Sequence, residues 1–133
     1  MKHESTVNIR YCETDATGHV NHISFFIYLE EARLHFFESL GIQIAGGNLH
    51  LILVSTKCDY KGQAYYGQSL DVLTNISKIG TKSFTIQHDV LDSETKKPIA
   101  SGEASIVNFN YETQKSEEIP SFLREQLKQY MEE

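Results

Sequence analysis

Between Phe25 and Leu40 the apolar residues Phe25, Leu29, Ala32, Phe36 and Leu40 recur at spacings of four, three, four and four, the period of a helix. Downstream the period drops to two. Leu70, Val72, Thr74 and Ile76 share one face of "SLDVLTNIS", and Phe84, Ile86, His88 and Val90 share one face of "SFTIQHDVL". A helix with so broad an aromatic stripe must be covered by something large, and the strands supply that cover. The connections "IGTK" (Ile79 to Lys82) and "DSETKKP" (Asp92 to Pro98) are of hairpin length, which makes neighbouring strands antiparallel. "TVNIRY", Thr6 to Tyr11, reads as a first strand, and Leu51–Tyr60 and Pro98–Phe109 complete the set. Ser24 is the expected N-cap of the long helix and Gly41 its left-handed stop. Pro120 opens a short polar C-terminal helix, about 120–132, carrying Phe122, Leu127 and Tyr130. Strand, helix, then more strands predicts an α+β protein, an antiparallel sheet wrapped around one long helix.

Bulk properties narrow the function classes. A chain of 133 residues suits a single domain, expected to span 1–133. The formal net charge of −6 argues against a nucleic-acid partner, because phosphate neutralisation needs a basic face. No apolar run approaches the roughly 18 residues of a membrane span, and "MKHESTVNIR" lacks a signal-peptide core, so a cytoplasmic protein is expected. Cys12 and Cys58 match no zinc or redox spacing and are expected to be free thiols.

The chemistry concentrates in "RYCETDATGHVNHISFF", Arg10 to Phe26, just ahead of the helix. Asp15 can act on a substrate as a carboxylate, or it can simply close an Asx-type turn, as Asp-x-x-Gly stretches commonly do. Gly18 suits either a close backbone approach or a positive φ. His19 and His22, three apart, raise the question of a metal, but no HExxH accompanies them and the cysteines are remote, so none is expected. Asn21 can brace the loop through its amide, and Glu30 and Arg33 can pair with one another or across a subunit contact.

Taken with the helix, the stretch "Y-x-E-T-D-A-T-G-H-V-N-H-x-x-F-F-x-Y-L-E-x-A-R" resembles the opening of the hotdog-fold acyl-CoA thioesterases of the 4-hydroxybenzoyl-CoA thioesterase-like group. "CDY…YYGQSLDV…ISKIGTKSF" is similar to the second segment of that family, and the resemblance runs from Val7 to Phe109. Gln63 departs from it, since many relatives carry proline there, which bears on loop stiffness and not on chemistry. The resemblance implies a hotdog domain and a carboxylate, Asp15, that either attacks a thioester carbonyl or draws a proton from water. It implies that the main-chain amide of His22, at the helix start, faces the thioester oxygen. It also makes Tyr11 and the His22 ring site residues, with His22 able to orient water, polarise the carbonyl or protonate the departing thiolate.

The expected substrate is an acyl-CoA, with no cofactor beyond the coenzyme A of the substrate itself. Lys82 matches a basic hairpin position that contacts the nucleotide in relatives, and Lys78 lies nearby. Phe25, Phe26 and the "GIQIAGGNLH" loop are candidates to line the acyl chain, although aromatics at helical spacing also serve as core. The resemblance implies a homodimer with sites between subunits, commonly a homotetramer built from two dimers. Two rivals stand beside a thioesterase: an acyl-CoA binding or sensing module on the same fold, and a thioester hydratase or dehydratase. The latter would use a histidine–acid pair in a motif that this chain lacks.

Overall fold

The computed structural model describes residues 1–43 and 50–131. Its elements are β1 (His3–Asn8), a short 3-10 turn (Tyr11–Glu13), α1 (His22–Ser39), β2 (Leu51–Tyr60), β3 (Ser69–Ile79), β4 (Ser83–Asp92), β5 (Pro98–Asn110), β6 (Lys115–Ser116) and α2 (Ser121–Lys128). The strands form one antiparallel sheet in the order β1-β3-β4-β5-β2, with β6 added to β5. This is the hotdog arrangement: Phe25, Leu29, Ala32, Phe36 and Leu40, the expected helical stripe, are all buried under the sheet. The two period-two faces, 70/72/74/76 and 84/86/88/90, are buried against them throughout.

The boundaries differ in instructive ways. The first strand ends at Asn8, because the chain turns at Tyr11–Glu13 instead of continuing extended. Ser24 is not the N-cap of α1. Asn21 is, its side-chain oxygen accepting the Ser24 amide at 2.9 Å, so the helix starts three residues earlier than expected. At the other end Gly41 takes φ +78°, the expected left-handed stop. In α2 the inward residues are Leu123 and Leu127, and Phe122 faces solvent. Of the "GIQIAGGNLH" segment, residues 44–49 lie outside the described residues, as do 132 and 133 at the end of the predicted C-terminal helix.

The core is divided. One apolar cluster includes Val20, Phe25, Leu29, Ala64, Val72 and Val90; the other includes Phe36, Ile76, Phe84, Ile86, Leu123 and Leu127. Between them lies a polar layer of Arg33 from α1, Thr74 from β3 and His88 from β4. Thr74 and His88 are directly paired in the sheet and bonded, Oγ1 to Nδ1, at 2.9 Å. Burial, and then the Arg33 charge, push the His88 imidazole down to about 3, so it is neutral at ordinary pH. Next to His88 across the sheet is Gly102, where a Cβ would run into the Leu29 side chain; glycine is what lets α1 lie this close to β5. Both cysteines are free, Cys12 exposed and Cys58 half-buried.

The strand order sets where a site can form. The chain must pass from β2 at one edge to β3 beside β1, and that 61–68 connection crosses over the turn preceding α1. There His19 bridges Tyr65, and the Val20 amide bonds the Ala64 carbonyl at 2.8 Å.

Candidate active site

The segment between β1 and α1 is a narrow loop closed on itself. Thr14 bridges Val20, the Asp15 amide meets the His19 carbonyl at 2.8 Å, and the Asn21 amide meets the Glu13 carbonyl at 2.9 Å. The inner anchor is Glu13. Its Oε1 accepts the Tyr28 hydroxyl at 2.9 Å and the Arg10 amide at 2.8 Å, while Oε2 takes the Arg10 guanidinium at 3.1 Å. Burial raises the Glu13 carboxyl, but the bonds from Arg10 and Tyr28 outweigh that and hold it below its ordinary range. Burial, with Glu13 beside it, drives the Tyr28 phenol upward. Glu13 therefore fastens the loop to α1, a role that the buried Tyr28 one helical turn from Ser24 could have signalled.

With Glu13 anchored inside, Asp15 projects outward and is exposed. Its Oδ1 accepts the Thr17 amide at 2.9 Å and the Thr17 hydroxyl at 2.6 Å. These bonds hold its carboxyl below the usual carboxylate range. Among the described residues Oδ2 forms no hydrogen bond, while the His19 amide and ring lie near enough to lower the carboxyl further. The same Thr17 oxygen lies 2.6 Å from His19 Nδ1, and the His19 ring packs on Tyr65 with centroids 4.8 Å apart. Gly18 takes φ +85° with open space where a Cβ would stand, so within this chain the backbone conformation is what requires glycine.

The other arm of the loop feeds α1. Asn21 caps the Ser24 amide, and among the described residues no acceptor meets the amides of His22 and Ile23, the first two of the helix. The arms of the loop are paired from Asp15–His19 to Glu13–Asn21, so α1 begins one residue beyond the arm that pairs with the Asp15 side. His22 is exposed; its ring lies on Tyr60, centroids 4.5 Å apart, and its carbonyl accepts the Tyr60 hydroxyl at 2.9 Å. The two histidines thus go to different places, and among the described residues no three acidic, histidine or cysteine side chains gather to hold a metal.

The remaining sequence candidates separate. Tyr11 sits at the loop's outer edge, 77% exposed, its ring edge-on to Tyr66. Phe25 is a core residue, 2% exposed, packed edge-on to Tyr28 and Tyr60, and Phe26 is half-buried beside it. Glu30 and Arg33 form no ion pair: Glu30 is exposed, and Arg33 is buried with no partner for Nη1 among the described residues, its guanidinium lowered by that burial. Lys78 and Lys82 are exposed around the β3–β4 hairpin. The eleven residues of β3, at about 3.3 Å each, put that hairpin roughly 35 Å from the Asp15 end. Within one chain, then, Tyr11, Asp15, Gly18, Asn21 and His22 share one loop while their side chains take different neighbours, and the lysines lie at the other end of the sheet.

A groove of about 800 Å³ runs along the uncovered face of α1, from Arg10, Glu13 and Tyr28 at the loop to Leu51 and Leu53 on β2. Ile23, Ile27 and Leu34 expose one stripe of α1 to it or beyond it, and Leu53 and Val54 are exposed on the β2 edge.

Comparison with known proteins agrees with this geometry. The model of the thioesterase-like superfamily matches residues 9–127. A solved structure of a predicted thioesterase from Bacillus stearothermophilus is 27% identical, with a TM-score of 0.89, covering 100% of this chain and 98% of that one. The 1,4-dihydroxy-2-naphthoyl-CoA thioesterase of Synechocystis shares the fold at 20% identity, with a TM-score of 0.85 over 93% of each chain. YsmA of Bacillus subtilis (strain 168) is 29% identical over 110 residues, 83% of this chain and 74% of that protein. The match over residues 9–127, together with a wrapped sheet shared with these solved structures, shows that the chain belongs to the thioesterase-like superfamily.

Proposed function

We propose that the protein is an acyl-CoA thioesterase, cleaving a thioester to the free acid and coenzyme A, with Asp15 as the reacting carboxylate. The observation that carries this is the asymmetry of Asp15: Oδ1 is committed to Thr17 while Oδ2 is open, on the loop that leads into the unpaired first amides of α1. Oδ2 can bond to the carbonyl carbon and expel the thiolate, leaving a mixed anhydride that water opens. Alternatively it takes a proton from a water whose oxygen bonds to that carbon. On either route negative charge grows on the carbonyl oxygen, and the His22 and Ile23 amides with the helix dipole are suited to receive it. The His22 imidazole supplies a proton for the departing sulfur, and Tyr11 closes the outer rim. Coenzyme A is part of the substrate, and the chemistry is written with these side chains alone.

The working unit in this proposal is a homodimer, or a tetramer of two dimers, in the cytoplasm. Support comes from the exposed stripe of α1 and the unpaired β2 edge, which a two-fold partner covers. Because Lys82 lies at the far end of its own sheet, it serves a nucleotide only where assembly brings one copy's hairpin to another copy's loop.

Thiol release from a panel of short, long and aromatic acyl-CoAs tests the proposal. Turnover of at least one ester, lost in Asp15→Ala with binding retained, is the expected result. Tight binding without turnover on any ester assigns the protein instead to acyl-CoA sensing.

A further inference from the structure

We propose that Thr17 and His19 act as a hydroxyl-bridged tether on Asp15, selecting Oδ2 as the oxygen that meets the substrate and tying its basicity to the protonation of the His19 ring. The inference rests on Asp15 being the reacting carboxylate and adds two positioning residues to it.

The argument is a proton count. Thr17 Oγ1 lies 2.6 Å from Asp15 Oδ1 and 2.6 Å from His19 Nδ1, and it owns one proton. An ionised carboxylate only accepts, and Oδ1 already accepts the Thr17 amide at 2.9 Å. The hydroxyl proton therefore goes to Oδ1, the hydroxyl lone pairs face His19, and His19 Nδ1 must carry hydrogen. The ring is held for this by the His19–Tyr65 backbone bridge and by its packing on the Tyr65 ring. Nε2 is left as a lone pair when the ring is neutral and as a second N–H when it is charged.

Two consequences follow for the site. Both donors pull on one oxygen, which fixes the carboxylate plane and leaves Oδ2 as the free one. A second proton on the ring places a positive charge two hydrogen bonds from Asp15, which strengthens the bridge and lowers the basicity of the carboxylate. The basicity of the carboxylate is therefore coupled to the state of the bridge. Among the described residues, the titratable groups facing the tether are His19 on the loop itself and Tyr65 on the β2–β3 connection. Glu13, on the inner side, is committed to Arg10 and Tyr28.

The test combines nitrogen NMR of the His19 ring with pH profiles of kcat for thioester cleavage, on wild type, Thr17→Val, Thr17→Ser and His19→Gln. Neutral His19 in wild type is expected to hold its proton on Nδ1. In Thr17→Val the ring should revert to the Nε2–H form and kcat should fall about tenfold to a hundredfold, the cost of losing a charged hydrogen bond. Thr17→Ser should restore both. His19→Gln, whose amide N–H can still reach Thr17, should keep the bridge while removing any ring charge from it. A wild-type ring protonated on Nε2 alone, or a Thr17→Val enzyme with unchanged kcat and pH profile, overturns the proposal. The ring tautomer needs no turnover, so a protein that cleaves no thioester removes the catalytic assignment while the tether is judged separately.

Discussion

Asp15 opens the loop before α1 and Asp92 opens the turn between β4 and β5, and each uses Oδ1 to accept two donors from just downstream. For Asp92 these are the amides of Glu94 and Thr95, both at 2.9 Å; for Asp15 they are the amide and hydroxyl of Thr17. The second oxygens part company. Asp92 Oδ2 accepts the Gln68 side chain at 2.8 Å and the residue is buried, whereas Asp15 Oδ2 forms no hydrogen bond among the described residues and faces outward. In both, hydrogen bonds hold the carboxyl below its ordinary range, Thr17 leading at Asp15 and the Thr95 amide at Asp92. The same local turn thus leaves no carboxylate oxygen free at Asp92 and one free at Asp15, the oxygen that the proposed reaction uses.

That contrast can be broken by exchanging charge for amide at each position. Asp15→Asn should lower kcat by about 10²- to 10⁴-fold, as loss of a positioned base or nucleophile does, with no change in melting temperature. Equal losses of activity and stability would show that Asp15 is a turn residue like Asp92.

Acid titration separates the fold's sensitivity from the site's. His88 in the folded chain sits at about 3 against an ordinary value near 6.5. Its protonation favours the unfolded chain, so stability is full above about pH 6.5 and declines as pH falls toward 3, by at most on the order of 4 kcal/mol. His88→Gln, still able to bond Thr74, should flatten the decline seen by denaturant melts between pH 6.5 and 5, above the carboxylate range. An unchanged decline would trace the acid sensitivity to other groups. Asp92→Asn should lower the melting temperature by about 5 °C, because the Gln68 donor loses its acceptor, while kcat per folded molecule stays near wild type. Lys82→Ala should raise KM for a CoA ester by about two- to fivefold, the worth of an exposed charge, and leave a pantetheine ester unaffected. Equal effects on the two esters would remove Lys82 from the nucleotide.

Much of the fold was legible because periodicity reports burial directly: the α1 stripe and the two strand faces are buried residue for residue. Chain reversals were harder. Ser24 and Asn21 both have side chains that cap helices, and only the loop bonds of Glu13 and Val20 decide that the helix begins behind Asn21. The acid, the glycine and the helix start could be picked out of one short stretch because they are close along the chain. Thr17 could not, since its importance lies in one oxygen standing 2.6 Å from two partners, a coincidence of rotamers that no spacing encodes. The distance between Lys82 and Asp15 was equally hidden, being set by the direction in which β3 runs.

The polar layer of Arg33, Thr74 and His88 has a further consequence. It works like a bulkhead: a side chain that grows or shrinks among Val20, Phe25 and Ala64 repacks against neighbours on its own side and meets the bonded Thr74–His88 pair before it reaches Phe84 or Leu127. The compartment holding α2 can therefore keep the chain folded while the compartment under the Asp15 loop drifts. Substitutions under the loop should therefore cost less in global stability than equal substitutions beside α2.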